Sequence, residues 1–432
     1  MKRILCLILA ALLLLSLVAC GGETEEAPKE TTYVSKYVSE KGFTELHDKV
    51  SWEGINAIPV KKPNMDIDEA RQICVDFFRY AKTATWIPDA DYGIWADATL
   101  DHTDPPKRHL DNGVVYGGLP YISWGTGSIY RLMDFIDEET GVVDVTSAGA
   151  EPLYFGNQCA NGAYVGFARV INSAAYGITA KMVHKDGFLR LGDYTYADDL
   201  KQYTKDYNTT KIISENLEAK GEDVMYEAYA LLQHGDGLVY WTTAGHVIMV
   251  ATDPVVVRGA DGRIDPAQSY LTIIDQGTQF YSATGPNGDQ YQYQESVDAK
   301  KTFLQLLSGN YLPFTFAEWL GTDPIEETEV TFSHQGDTIT REQLFGSTVT
   351  TNYYLFDIYA QVFDNYGNEV YKVAVRSGRA NTRQLSFKPE GEDVDTWGSL
   401  DNLSDKREYT VKVYCQIGTG ERPVLWEGKL ER

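Results

Sequence analysis

The sequence predicts an α+β domain followed by an all-β sandwich. Between residues 51 and 322, amphipathic helical stripes are interleaved with short apolar strands. Beyond about residue 322 the chain turns to short alternating runs separated by turn residues. An apolar fraction of 43 % over 432 residues is enough for two or three cored units.

The first residues stand apart from that fold. Lys2 and Arg3 precede an apolar stretch over 4–18, too short to span a bilayer comfortably. It ends at Leu17-Val18-Ala19-Cys20 with Gly21 and Gly22 behind, and resembles the lipobox of bacterial lipoproteins. The resemblance implies a signal peptide over 1–19, lipid on Cys20, and an extracytoplasmic protein anchored to a membrane. Residues 20–50 are expected to be a tether, because 21–32 are rich in Glu, Thr, Lys and Pro and hold nothing to bury.

The formal charge of -24 argues against nucleic acid or an anionic lipid surface as the main partner. Of five cysteines, Cys6 lies in the signal and Cys20 carries the lipid, leaving Cys74, Cys159 and Cys415. Their spacing gives no CxxC pair, so neither a disulfide framework nor a zinc site is expected.

Along the chain, Asp66 and Glu69 mark a helix start, and Ile67, Ala70, Cys74, Phe77, Phe78 and Ala81 form its apolar stripe, placing Cys74 in a core. Residues 86–106 are irregular and aromatic. A Gly- and aromatic-rich loop over 116–127 opens a helix at about 128–138, and a further helix is expected over 160–173. A helix over 222–233 leads to strands at 238–242, 246–251, 255–257 and 271–274. In the C-terminal part, runs at 329–332, 351–363, 369–375, 383–387, 409–416 and 424–430 indicate a sandwich of immunoglobulin-like size, with Cys415 as a core thiol.

Cys159 falls where a helix begins, and a helix N-terminus favours a thiolate through its dipole and unpaired N–H groups. The small residues Gly156, Ala160, Gly162, Ala163, Gly166 and Ala168 let that helix pack closely on a sheet and let a carbonyl approach the Cys159 amide. His246 follows Gly245 at a strand start. Asp275 ends the apolar strand 271–274. A register centred on the turn 259–262 sets His246 opposite Asp275 on one sheet face. Asp275 then holds the imidazole in the tautomer that takes the Cys159 proton.

This order of helix-N-terminal Cys, Gly235-Asp236 turn with Tyr240-Trp241, Gly245-His246-Val247 strand and strand-terminal acid resembles the NlpC/P60 and CHAP branch of papain-like cysteine hydrolases. Ile273-Ile274-Asp275-Gln276-Gly277 is similar to the CHAP pattern, and Pro120-Tyr121 with Trp124-Gly125 is similar to the segment upstream of the family's cysteine. The resemblance covers about 116–277, with 187–221 as an insertion. It implies a papain-like domain over 51–322 with a helical N-terminal extension, before a sandwich over 323–432. It also implies a Cys159–His246–Asp275 triad acting through a thioester, without metal or organic cofactor, on amides of peptidoglycan or another cell-wall peptide. Tyr121, Trp124 and Gln276 become substrate or oxyanion candidates. Gln158 is either an oxyanion donor or a surface residue, since Gln158-Cys159-Ala160-Asn161 stands where the family has Asp-Cys-Ser-Gly. The competing readings are a non-catalytic surface-binding lipoprotein that keeps the fold, and a transglutaminase-like enzyme with the same residue order. His102 and His109, among Asp101, Asp104 and Asp111, read as a polar loop, and His184 and His234 as surface or helix-end residues.

Overall fold

The structure, a computed structural model, describes residues 49–431 except 62–64, 95–107, 123–124, 151–154, 174–178, 184–186, 278–279, 285–289, 295–296, 378–381, 392 and 405. Residues 1–48, on which the expected signal peptide, Cys20 and most of the expected tether fall, lie outside the described residues, as do His102, Trp124 and His184. Everything described belongs to one compact unit of mixed α+β structure.

Helix α1 (Ile67–Thr83) starts where Asp66 caps it, its carboxylate accepting from the N–H groups of Asp68 at 2.9 Å and Glu69 at 3.4 Å. Its stripe of Ile73, Cys74, Phe77, Phe78 and Ala81 is buried. Helix α2 (Cys159–Phe167) is shorter than the sequence predicts, and each of its residues is buried. A helix enclosed on all sides needs close neighbours, and the glycines supply the room. A Cβ on Gly162 would stand 2.9 Å from Cβ of Gln276, and one on Gly166 would stand 2.8 Å from Cβ of Phe78.

The sheet beneath α2 contains β1 (Phe188–Arg190), then, after helices α3 (Thr209–Lys220) and α4 (Asp223–Ala230), β2 (Gly237–Trp241), β3 (Gly245–Val250), β4 (Tyr270–Ile274), β5 (Val297–Thr302) and β6 (Leu312–Phe316). Its order is β5-β4-β3-β2-β6-β1, antiparallel throughout. The segment read as an insertion, 187–221, therefore supplies an edge strand and a helix. A second six-stranded sheet joins Phe280–Thr284, Gln290–Gln294, Val115–Gly117, Thr85–Pro88, Val142–Val143 and Ile136–Asp137. The helix expected over 128–138 is only Ile129–Leu132, because the chain turns at 133–135 and enters the strand Ile136–Asp137. Residues 255–257 form an isolated bridge, Val255 to Tyr270, instead of a strand.

The C-terminal region has a three-stranded sheet of β7 (Val330–Phe332), β9 (Thr348–Thr351) and β12 (Gln384–Ser386). A six-stranded sheet runs β8-β15-β14-β10-β11-β13, from β8 (Thr338–Thr340), β10 (Leu355–Asp364), β11 (Glu369–Arg376), β13 (Val394–Gly398), β14 (Tyr409–Ile417) and β15 (Val424–Glu431). The single run expected at 351–363 is split between the two sheets. Both contribute to one apolar cluster, with Phe332 and Val349 meeting Ile358, Val373, Val411 and Cys415. A buried ion pair and a buried hydrogen bond fasten this region to the rest: Arg131 holds Asp357 at 2.6 Å, and Arg169 donates to the Thr419 carbonyl.

Candidate active site

Cys159 is placed by two loops joined through their backbones. Ile122 N–H donates to Asn157 O at 3.1 Å, Asn157 N–H to Pro120 O at 3.0 Å, and Gly127 N–H to Gly156 O at 2.8 Å. Such an approach excludes side chains: a Cβ on Gly156 would lie 2.6 Å from Pro120 O, and one on Gly125 would lie 2.5 Å from Gly156 O. The Gly- and aromatic-rich loop is thus zipped to the segment that delivers the cysteine, and Tyr121 pairs with Asn157, two positions before Cys159. Gln158 caps α2 in an extended conformation without a side-chain capping bond, half-buried.

From the sheet side, β3 brings its start to the sulfur. Cys159 Sγ lies 3.9 Å from Gly245 O. His246 Nε2 lies 3.2 Å from Asp275 Oδ2, which leaves Nδ1 as the ring nitrogen available to the thiol. The register differs from the expected one. Ile273 pairs with Val250 and Ile274 with Met249. Extending that ladder puts Asp275 opposite Ile248, so His246 and Asp275 are diagonal neighbours on one face, not direct partners. Diagonal cross-strand positions remain within reach of long side chains. The slide of two residues preserves the face because side chains alternate with period two.

Electrostatics at the pair run in opposite directions. Burial acts to raise the Cys159 thiol, but the hydrogen bond and charge of His246, with the N–H groups of Val247 and Ala160, outweigh it and hold the thiol below its ordinary value. Burial acts to lower His246, yet its hydrogen bonds to Asp275 and Cys159 and their charges hold it well above the ordinary histidine range. Each partner favours the charged form of the other: a thiolate beside an imidazolium. The other two thiols behave differently. Burial raises Cys74 far above its ordinary value and Cys415 to about 12.

The remaining candidates separate. Gln276, expected at the substrate or oxyanion, is fully buried and its amide is occupied: Oε1 accepts from Lys82 Nζ, and Nε2 donates to Leu119 O at 3.0 Å. It therefore anchors the strand end. Asp236 is also interior, bound to Arg71 at 2.9 Å, to the Thr315 hydroxyl at 2.6 Å and to Gln233 N–H at 2.8 Å. Burial raises its carboxyl above the usual range, against the pull of Arg71. His234, read as a surface or helix-end residue, is buried after α4, with Nδ1 2.9 Å from Asp253 Oδ1 and Nε2 3.2 Å from Asp68 O. Its partners come from distant segments, which local sequence does not reveal.

The structure adds residues to the site that the sequence does not assign to it. Tyr240 lies 6.2 Å from His246, ring to ring, and Tyr311 meets Tyr240 edge-on at 5.2 Å. Burial and the negative charges of Asp275 and Cys159 raise the Tyr311 phenol. Arg71 and Lys82 are buried at 2 % and 1 % exposure on the apolar side of α1. Their signal was present: Ile67, Arg71, Phe78 and Lys82 follow helical spacing, so two cations interrupt an apolar stripe.

Together these features define an α+β protein with a partly buried thiol–imidazole–carboxylate array built on a helix N-terminus and two adjacent strands. No protein-family model matches the chain, and no curated protein matches it.

Proposed function

We propose that the protein is a cysteine hydrolase, a peptidase or amidase, using Cys159 as nucleophile, His246 as general base and acid, and Asp275 to orient the imidazole. The observation that carries this reading is the paired opposite shift of Cys159 and His246 beside the 3.2 Å His246–Asp275 contact. In the reaction, Cys159 Sγ attacks the amide carbon, and His246 gives its proton to the leaving amine. Water, deprotonated by His246, then releases the acid from the thioester. The Cys159 N–H, at the first helical position and without an acceptor inside its helix, is suited to receive the oxyanion.

The helix-on-antiparallel-sheet arrangement and the order Cys, His, Asp support a papain-like assignment of the NlpC/P60 and CHAP type. The paired C-terminal sheets support an immunoglobulin-like sandwich. The lipobox-like segment at Cys20 supports lipid anchoring outside the cytoplasmic membrane, where cell-wall peptides are the amides within tether reach; among the described residues no helix is long and apolar enough to cross a membrane. The test is digestion of purified bacterial cell wall by the protein and by Cys159→Ala, with mass spectrometry of released peptides. Cleavage by the first and a loss of about 10³-fold or more in the second are expected. Equal release by both would exclude Cys159 as the nucleophile, and no release together with no preferential alkylation of Cys159 would leave a non-catalytic wall-binding protein.

A further inference from the structure

At Gln276, the residue that follows Asp275, the fold binds a buried cation. Lys82 closes the last turn of α1 at 1 % exposure, and its Nζ donates to Oε1 of Gln276, the residue after Asp275. Gln276 in turn donates to Leu119 O, in the loop that is zipped to the Cys159 segment. The second oxygen of Asp275, Oδ1, is buried and has no hydrogen-bond partner among the described residues, while Oδ2 faces His246. A buried carboxylate oxygen without a hydrogen bond is costly, and a nearby cation offsets part of that cost. Lys82 is the cation whose charge couples to it. The neighbouring Arg79, one turn back on α1, is already held by Asp76 at 2.8 Å and Asp298 at 2.7 Å. The other titratable groups facing Asp275 are His246 and Tyr311; Cys159, on α2, lies beyond them.

We propose that Lys82 is a positioning residue whose charge, buried and tied to Gln276 next to Asp275, adjusts the pH range over which the Cys159–His246 pair works. This rests on the hydrolase reading and deepens it. The reason is electrostatic. A charged Lys82 favours the thiolate and offsets part of the Asp275 charge that retains the imidazolium proton. When Lys82 loses its proton, the whole Asp275 charge acts on His246, and the imidazolium persists to higher pH. Desolvation lowers the Lys82 ammonium to about 7 against the opposing pull of Asp275. The lysine thus loses its charge before the raised His246 gives up its proton, ahead of the alkaline limb of the Cys159–His246 profile.

The experiment is the pH dependence of Cys159 alkylation by iodoacetamide in the full chain, its Lys82→Met variant and its Lys82→Arg variant. The native protein carries a charged Lys82 at low pH and a neutral one at high pH. Its high-pH limb should coincide with that of Lys82→Met and stand apart from that of Lys82→Arg. The two variants should differ by about half to one pH unit on each limb. Coincidence of all three profiles, or a native high-pH limb that follows Lys82→Arg, overturns the proposal. Should a variant fail to fold, a ¹³Cε-lysine NMR titration of the native protein with the Lys82 resonance assigned serves instead: that resonance should titrate near 7, and its titration with the ordinary lysines overturns the proposal. Failure of Cys159 to react ahead of Cys74 and Cys415 in the native chain would overturn the hydrolase reading itself, a separate outcome.

Discussion

Cys74 and Cys159 lie on helices packed against each other, both thiols are buried, and burial opposes ionisation of each. Their chemistry nevertheless diverges. Cys74 sits in the middle of α1, where backbone groups are already paired, and its sulfur finds a single acceptor, Phe167 O at 3.6 Å. It can only remain a thiol. Cys159 sits at the first position of α2, where the N–H groups are free of intrahelical bonds, and a strand start brings His246 to it. Burial alone therefore says little about a cysteine; its place along the helix and the element facing it decide.

That contrast can be broken most severely at His246. In His246→Gln the thiolate loses its cation, and a fall of about 10² to 10⁴-fold in Cys159 alkylation and hydrolysis near neutral pH is expected. A variant that alkylates as fast as the native chain would show that the helix N-terminus by itself activates the sulfur. In the native protein, reactivity of Cys159 should begin below the pH at which an ordinary thiol ionises, because its value is lowered. It should change again as the raised His246 loses its proton on the alkaline side. Cys74 and Cys415, both raised, should stay unreactive throughout the same range until the fold opens. Peptide mapping after alkylation at stepped pH measures all three.

Smaller effects sharpen the comparison from the structural side. Arg71→Met leaves Asp236 buried without its cation, and a loss of about 3–5 kcal/mol is expected by chemical denaturation. Cys159 should remain the most reactive thiol in whatever fraction stays folded. Cys74→Ser places a hydroxyl in a site that offers one distant acceptor. A loss of about 1–3 kcal/mol is expected, with an unchanged Cys159 alkylation profile. A changed profile would mean that Cys74 influences the pair across the helix interface.

Much of this was legible in the sequence for a local reason. Helix α1 was visible from its cap and stripe, Cys159 from the small residues around it, and the C-terminal strands from alternation and turns, because each signal is written within a few residues. The order Cys159, His246, Asp275 was legible as a pattern. The register between β3 and β4 was not, since the two-residue slide leaves every side chain on its expected face and so costs the hydrophobic pattern nothing. Gln276 and His234 were misread for a related reason: their partners, Lys82 and Leu119 in one case and Asp253 and Asp68 in the other, come from segments that meet only on folding.

By itself, then, the sequence determined the α+β character, the residues of the array and their order along the chain. Tertiary structure alone decided which thiol is activated and what stands behind it. It set His246 and Asp275 diagonally, enclosed α2 through Gly162 and Gly166, and buried Lys82 against Gln276. The physical reason is that ionisation depends on distance and dielectric in three dimensions, and neither is a property of neighbouring residues in the chain.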